Sequence, residues 1–300
     1  MSATTPTHLD ATVQRRRPLT PARVILHLFL AATALLWLFP MLWALFNSFR
    51  DYGYTLEHGY FSFGGFTLDN WVNAWQRGGF SQSFVNSAII TIIAVVLTLT
   101  LASCMAFVLT RFSSKLNLAM LAFFVAGNLL PPQALLVPVY RIFRAVPLPT
   151  WLAESGSLLD THAGIILINV AFQTGFCTFV LSNYMKSIPK EIYESADVDG
   201  ASVWSQFWTL TLPLCRTPLA ALATLQAAWI YNEFFWATVL LQTGDKFPVT
   251  SSLNNLKGTF FTDYNLLSAG SIIAALPILV LFFVLQRQFV SGLTMGSTKG

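Results

Sequence analysis

Long apolar stretches alternate with shorter polar segments along the chain, and six of the apolar stretches are long enough to cross a membrane. A helix needs about 20 mostly apolar residues to span the hydrocarbon core of a bilayer. The stretches lie at 24–46, 84–109, 116–140, 163–184, 214–241 and 267–285. Since backbone groups in lipid have no water to bond, each stretch is predicted to be helical. The pattern therefore predicts an all-α integral membrane protein with six transmembrane helices.

The composition of the chain supports this prediction. Hydrophobic residues make up 55% of the 300 residues, charged residues make up 10%, and the mean hydropathy is +0.60. An ordinary soluble domain carries about 25% charged residues, so this chain has too few charges to cover a globular surface. The same figures exclude a disordered chain, a collagen and a coiled coil, and three cysteines are too few for a disulfide framework.

The positions of lysine and arginine predict the orientation of the helices. Six spans place both termini on one side, and a cytoplasmic N-terminus puts eleven Lys and Arg residues inside and six outside. The cluster Arg15–Arg17 before the first span contributes most to this bias. It also raises the possibility of a signal peptide, but the apolar run that follows is too long for one. We expect 1–23 to be a cytoplasmic segment, 24–290 the transmembrane domain and 291–300 a cytoplasmic tail.

A long polar segment, 187–213, lies between the fourth and fifth spans. Pro189 suits the first turn of a helix, and Glu191 places negative charge near that helix's N-terminus, where it is favoured. Gly200 provides a stop, and Ser202 can cap a second short helix. The segment is therefore predicted to be a helix-turn-helix at the cytoplasmic membrane face. On these features alone, a hairpin that merely covers helix ends is an equal alternative.

Small, acidic and apolar residues follow a recognisable order in this segment. They are Glu194, Ala196, Asp199, Gly200, Ala201, Phe207, Leu212 and Pro213. This order resembles the cytoplasmic coupling loop of ABC importer permeases, the EAA motif, which reads Glu-Ala-Ala, then Asp-Gly-Ala, then a hydrophobic stretch ending in Leu-Pro. Ser195 stands where that motif has its first alanine, and it keeps the position small.

Further motifs extend the resemblance over most of the chain. They are Phe84-x-Asn86-Ser87, Pro131-Pro132 with Pro138-x-Tyr140, Trp229-x-x-Asn232-Glu233-Phe234, and the ending Phe289-Val290-Ser291-Gly292-Leu293. Together they are similar to the six-helix, maltose-type carbohydrate permeases. The resemblance implies a subunit that forms half of the pathway of a sugar importer in a bacterial or archaeal plasma membrane. The implied partners are a second permease subunit, two ATPase subunits, an extracytoplasmic sugar-binding protein and membrane lipid.

The resemblance also implies how the work is divided in such an importer. ATP and Mg²⁺ would be bound by the ATPase subunits, and this chain would hold no cofactor. It has no G-x-x-x-x-G-K-[ST] phosphate loop, so it is predicted to be non-catalytic. The implied ATPase-coupling residues, with Glu194 as a docking or orienting group and Gly200 as a hinge-like turn, are Glu191, Glu194, Ser195, Ala196, Asp199, Gly200, Ala201, Phe207, Leu212 and Pro213.

Polar and aromatic side chains within the spans are candidates for the substrate path. Such polar groups are costly in lipid and often functional, but they also hold helices together. Glu233 is the only acid in any span; it lies about 29 Å along the fifth helix, near the outer interface. It either braces a gate or makes a hydrogen bond between helices or to a loop. The candidates are Asn128, Gln133, Asn169, Gln173, Trp229, Asn232 and Glu233.

Other functions leave different patterns. The four histidines are scattered, so no metal site is expected, and the net charge of +4 is too diffuse for nucleic-acid binding. An ion-coupled secondary transporter is the main alternative, with Glu233 as its one acidic candidate. A membrane-embedded interaction protein without a transport role is a third possibility.

Overall fold

The computed structural model describes residues 20–112, 114, 116–151, 153–258 and 260–294, the last of these by backbone alone from 285 onward. The predicted N-terminal segment up to residue 19, and the predicted tail from residue 295, lie outside the described residues. Within the described ranges the chain forms helices, turns and two isolated β-bridges, and no β-strand is present. The predicted all-α class is confirmed.

Fourteen α-helices follow one another along the described chain. They are α1 Pro21–Ser48, α2 Tyr52–His58, α3 Asp69–Arg77, α4 Phe80–Arg111, α5 Leu116–Asn128, α6 Leu136–Ala145, α7 His162–Met185, α8 Lys190–Val198, α9 Val203–Ser205, α10 Leu212–Leu214, α11 Arg216–Tyr231, α12 Phe235–Leu240, α13 Val249–Ser252 and α14 Tyr264–Thr294. Turns of 3-10 helix occur at Pro132–Leu135, Gly244–Lys246 and Leu253–Leu256, and a π-helical turn occurs at Gln206–Thr211.

Four of these helices are long and apolar enough to cross a membrane without interruption: α1, α4, α7 and α14. They correspond to the first, second, fourth and sixth predicted spans. The third predicted span is a bent pair, in which α5 and the helical segment Pro132–Ala145 meet at 93°. The bend lies at Pro131-Pro132, where two adjacent prolines are expected to interrupt a helix because proline lacks the N–H that continues it.

The fifth predicted span, 214–241, is not one helix, and that prediction is wrong. α11 ends at Tyr231 and α12 begins at Phe235. The carboxylate of Glu233 accepts hydrogen bonds from the backbone N–H groups of Trp236 (2.6 Å) and Ala237 (3.0 Å). These bonds satisfy the first turn of α12, so the chain stops one helix and starts another. The apolar pattern continues across the break and does not reveal it.

The centre of the molecule is the contact between α4 and α7. α4 buries Ile90, Ala94, Thr98, Ala102 and Ala106, which recur at every fourth position and are at most 2% exposed. Residues four apart share one face of a helix, and small residues on that face let two helix backbones approach closely. α7 meets this face with its own buried residues, which include Ile165, Ile168, Cys177 and Leu181.

The connecting segments divide between two ends of the molecule. At one end Arg111, the last residue of α4, forms a 2.6 Å ion pair with Asp197 of α8. At the other end Asn86, near the start of α4, donates to the carbonyl oxygen of Asp245 over 2.7 Å. We call these the loop end and the opposite end. Segment 187–213 therefore lies at the other end of α4 from the segment that links the fifth and sixth predicted spans, as the predicted topology requires. Which end faces the cytoplasm stays a prediction.

Candidate functional site

The segment 187–213 begins as predicted. Pro189 is extended and precedes α8, and Gly200 follows it with a left-handed φ of +74°. The N–H of Ala201 donates to the carbonyl of Ala196 (2.9 Å), and the N–H of Gly200 donates to that of Asp197 (3.1 Å). These two bonds form a Schellman motif, in which the left-handed residue is usually glycine. The sequence-predicted glycine turn is therefore present and fully hydrogen-bonded.

The second half of the segment differs in detail from the prediction. The Ser202 side chain caps it as expected, accepting from the N–H of Ser205 over 3.2 Å. After α9, however, the chain takes a π-helical turn, and Pro213 lies inside the short α10, which precedes α11. Single π turns inside α-helices often mark functional sites. Spacing alone does not reveal such a turn, since the residues that form it are ordinary helix formers.

The predicted coupling residues fall into two groups. Phe207 and Ala196 are buried, and Ala201 and Leu212 are half-buried. The Phe207 ring packs against Phe107 of α4 in a tilted arrangement, with 5.3 Å between ring centroids, so this group fixes the segment to the helices. The exposed group, directed away from that packing, comprises Glu191, Glu194, Ser195, Asp199, Gly200 and Pro213.

Large apolar side chains flank the glycine turn in full exposure. Val198 is 88% exposed, Trp204 is 66% exposed and Val203 is 44% exposed. We call these three residues the turn patch. Exposed apolar groups beside polar residues mark interaction surfaces. Residue order alone gave no sign of the patch, because the same residues suit the buried face of an amphipathic helix.

The amide side chains that are candidates for the substrate path mostly bond their own helices. Asn128, Asn169 and Asn232 each donate to the backbone carbonyl four residues earlier, at 2.9–3.0 Å. Gln133 is exposed and Gln173 is half-buried. Side chains that bond the preceding turn are held against their own helix, so these amides do not converge on one point.

The two remaining candidates have structural partners. Trp229 is 47% exposed and its ring centroid lies 5.6 Å from that of Phe176 on α7. Glu233 caps α12, and its own carbonyl oxygen accepts from the hydroxyl of Thr250 over 3.0 Å. The structure thus gives Glu233 a hydrogen-bonding role between helix and loop, one of the two alternatives that the sequence left open.

Two cavities lie elsewhere in the described chain. One, of about 400 Å³, is a cleft between α4 and α11 lined by Thr91, Val95, Ala220 and Ala227 among others. The other, of about 480 Å³, lies at the opposite end and is lined by residues that include Trp151, Glu154, Asp160, His162 and Lys246. None of the seven substrate-path candidates lines either cavity. In the described part of the chain, no three His, Cys, Asp or Glu side chains are grouped to hold a metal ion.

Asp160 organises the opposite end. It is a non-glycine residue at φ +57°, and its carboxylate accepts from the N–H groups of Gln242 and Thr243, the Thr243 hydroxyl and the Lys246 ammonium at 2.6–3.0 Å. Burial opposes ionisation of this carboxyl, but these four donors outweigh it and lower its pKa to about 2. Asp160 therefore ties the segment after α12 to the start of α7.

Comparison with known proteins identifies the family of this fold. Residues 94–294 match the family described as binding-protein-dependent transport system inner membrane component. The chain belongs to this family. The resemblance inferred from the sequence motifs is confirmed, and the chain is a membrane-embedded component of a transport system.

Curated relatives align with most of the length of this permease-family chain. It is 31% identical over 281 residues to the probable ABC transporter permease protein YurM of Bacillus subtilis (strain 168), covering 94% of this chain and 89% of the relative. It is 32% identical over 235 residues to the melibiose/raffinose/stachyose import permease protein MelC of the same organism, covering 78% and 82%. The diacetylchitobiose uptake system permease protein NgcG of Streptomyces coelicolor is 28% identical over 277 residues, covering 92% and 88%.

The solved structures most relevant to the fold come from an alginate importer. One chain of a bacterial ABC transporter involved in the import of the acidic polysaccharide alginate aligns with a TM-score of 0.73 at 21% identity, covering 91% of this chain and 99% of that one. A second, from an alginate ABC transporter in complex with an alginate pentasaccharide-bound periplasmic protein, aligns with a TM-score of 0.65 at 18% identity, covering 89% and 96%. At these identities the likeness shows the permease fold alone.

Proposed function

We propose that this chain is the permease subunit of an ATP-driven importer of sugars and forms half of its translocation pathway. The observation that carries the proposal is the structure of the segment 187–213. At the loop end it forms two short helices joined by a glycine turn, and the turn patch beside that turn is exposed. Two of the relatives are described as permeases for melibiose, raffinose and stachyose import and for diacetylchitobiose uptake, which supports an oligosaccharide as the substrate class. The expected location is the plasma membrane of a bacterium or archaeon, with the loop end in the cytoplasm.

The turn patch supports the docking of an ATPase subunit. A tryptophan that is 66% exposed keeps apolar surface in water, which costs free energy at about 25 cal/mol per Å². Docking recovers that free energy, and tryptophan is enriched among the residues that dominate interfaces. The carboxylates of Glu191 and Glu194 are exposed on α8, the helix that ends at Val198 of the patch, and such charged groups are typical of the polar rim of an interface.

The mechanism follows from where the segment is attached. ATP and Mg²⁺ bind the ATPase subunits, whose closure displaces the docked segment. The backbone transfers that displacement to α7 and α11, while the buried group, with Phe207 against Phe107, keeps the segment packed on α4. Nucleotide switches the side of the membrane to which the pathway opens only if it binds one permease conformation better than the other. This chain supplies the segment that moves the helices and contributes no catalytic group.

The remaining partners complete the pathway. In the central stretch of α1 none of the residues is buried within the chain, so lipid or a second permease subunit must cover this helix. An extracytoplasmic sugar-binding protein would deliver substrate at the opposite end. The family description, which names binding-protein dependence, supports this partner.

Substitution in the turn patch tests the proposal. The complex is co-purified from cells that express all its subunits, with Trp204→Ala in this chain. Retention of the ATPase subunits should fall about 10-fold, the effect of losing a strong interface residue. Trp151→Ala is the matched control, since Trp151 is 84% exposed but lies at the opposite end. Full retention in Trp204→Ala would remove the turn patch from the interface.

The source of energy separates this function from ion-coupled transport. The ion-coupled alternative has lost support, because both oxygens of Glu233 accept backbone hydrogen bonds. Uptake of labelled raffinose, melibiose and arabino-oligosaccharides is measured in cells depleted of ATP and, separately, in cells treated with an uncoupler at constant ATP. Uptake should stop under ATP depletion and persist with the uncoupler. The reverse result would restore the alternative.

A further inference from the structure

Arg111 lies where α4 meets the segment 187–213, although the chain does not connect the two directly. Its Nη2 donates to Oδ2 of Asp197 over 2.6 Å, and its Nε donates to Oε1 of Gln206 over 3.4 Å. The guanidinium carbon lies 5.6 Å from the centroid of the Tyr193 ring. A single side chain of α4 therefore contacts both halves of the segment, α8 and the π-helical turn.

Gln206 completes a triangle of hydrogen bonds with Arg111 and Asp197. Its Nε2 donates to Oδ1 of Asp197 over 2.7 Å and to the carbonyl oxygen of Ala201 over 3.0 Å. Gln206 is fully buried. The hydrogen bond from Gln206 and that from Arg111 lower the pKa of Asp197, so its carboxylate is ionised at neutral pH. The two oxygens of one carboxylate thus join α4 to α8, and α8 to the π-helical turn.

The aromatic packing beside this triangle does not fix the position of α4 in the same way. Phe107, one turn before Arg111, lies 5.3 Å from Phe207 and 6.5 Å from Tyr193 between ring centroids. Apolar contacts of this kind have little directional preference, so they hold the segment against α4 without fixing its position along that helix. Charged hydrogen bonds are short and directional, so the triangle fixes the position of α4 relative to the segment.

The backbone joins the segment only to α7 and to α11. We propose that Arg111 is the positioning residue through which the segment moves α4, with Asp197 and Gln206 as its anchors. α4 forms one wall of the cleft of about 400 Å³ that it shares with α11, so carrying α4 along changes that cleft. The inference rests on the proposed function, because it needs a segment that ATPase subunits displace.

Spin-label distances in the assembled complex test this inference with ATP and Mg²⁺ as the only ligands. One pair of labels reports the segment (Lys190→Cys with Leu26→Cys on α1), and another reports α4 (Val108→Cys with Leu26→Cys). The labelled positions are exposed, and the three natural cysteines are first replaced. With Arg111 intact, trapping the ATP state should change both distances. In Arg111→Gln the segment should still move, while the change at α4 should fall by at least about half.

Matched variants separate positioning from general structural damage. Arg216→Gln removes an exposed arginine at the same end and should leave both distance changes intact. The double variant Arg111→Asp with Asp197→Arg restores the pair in reverse and should recover the movement of α4 that each single variant loses. If Arg111→Gln does not assemble, Asp197→Asn tests the same pair.

The outcomes distinguish the two proposals. A segment that does not respond to ATP in the unmodified complex would refute the proposed function. A segment that responds, with α4 moving equally in Arg111→Gln and in the unmodified complex, would refute the role of Arg111 alone.

Discussion

Gly200 shows how a single residue sets the shape of the segment 187–213. Its φ of +74° lies in the left-handed region, yet a Cβ built at this position meets no atom within 4 Å. The requirement for glycine is therefore conformational, because the left-handed form costs other residues about 1–2 kcal/mol. It is not a requirement for space, so a residue that tolerates this conformation should fit.

The first prediction at this scale compares two substitutions of Gly200. Gly200→Val should abolish uptake while the subunit still inserts and assembles, because a β-branched residue disfavours the left-handed turn between α8 and α9. Gly200→Asn should keep most of the uptake, since asparagine adopts this conformation readily. Uptake and co-purification are measured for both. Normal uptake by an assembled Gly200→Val complex would refute the role of the turn.

The second residue-scale prediction concerns the Asp160 carboxylate. Asp160→Asn keeps the left-handed backbone but removes the charge that Lys246 and Thr243 bind. Hydrogen bonds to charged groups contribute about 1.5–3 kcal/mol each, so the melting temperature in detergent should fall clearly. Asp245→Asn is the control. The Asp245 carboxyl is exposed, and among the described residues it has no side-chain hydrogen-bond partner.

The pH dependence of that effect follows from the lowered pKa of Asp160, about 2 against an ordinary 3.8. A group whose pKa is lower in the folded state stabilises the fold above its unfolded pKa, and the contribution is lost as pH falls through the folded pKa. The difference between the native chain and Asp160→Asn should therefore stay constant from pH 6 to 8. A difference that disappears within that range would contradict the assignment.

At the scale of elements, the interruptions in helices have two different causes. The bend between α5 and α6 follows Pro131-Pro132, where the backbone itself cannot continue a helix. The break between α11 and α12 contains no proline or glycine, and a side chain, Glu233, provides the acceptors that start the new helix. The first kind of break can be predicted from the sequence, while the second depends on the position of a carboxylate in the folded chain.

Glu233 therefore offers a prediction at the element scale. Glu233→Gln keeps one oxygen acceptor and should retain most of the uptake, because capping needs an acceptor rather than a titrating group. Glu233→Ala removes the cap, which is worth about 1 kcal/mol, and should lower both the melting temperature and the uptake. Loss of all uptake in a stable Glu233→Gln complex would instead indicate a proton- or ion-binding role.

At the scale of the whole molecule, two separate sets of contacts hold connecting segments at the two ends of the helices. Arg111 and Phe107 of α4 hold the segment 187–213 at the loop end, while Asp160 and Lys246 hold the segment after α12 at the opposite end. α4 runs between the two. Under the proposed function, a movement of the segment 187–213 reaches the opposite end along α4.

Labelling from outside the cell tests the orientation of this arrangement. A membrane-impermeant maleimide should label Glu154→Cys in intact cells, and should label Lys186→Cys only after permeabilisation. Both residues are exposed, whereas Cys177 and Cys215 are buried, which keeps the background low. Labelling of Lys186→Cys in intact cells would invert the topology and remove the segment 187–213 from the cytoplasm.

The sequence alone determined the membrane class, four uninterrupted spans, the proline bend and the helix-glycine-helix segment. These features depend on local properties: the length of an apolar run, the missing N–H of proline, the free φ of glycine and the capping hydroxyl of Ser202. The family was also recognisable, because the motif in 187–213 combines several such local requirements at fixed spacing.

Only the tertiary structure decided the break at Glu233, the π-helical turn, the exposed turn patch and the triangle of Arg111, Asp197 and Gln206. Arg111 and Asp197 are 86 residues apart in the chain, and Asp160 and Lys246 are also 86 apart. No local pattern links such pairs, because their energies depend on which helices pack together. For the same reason the polar residues in the spans could be found from the sequence, while their partners could not.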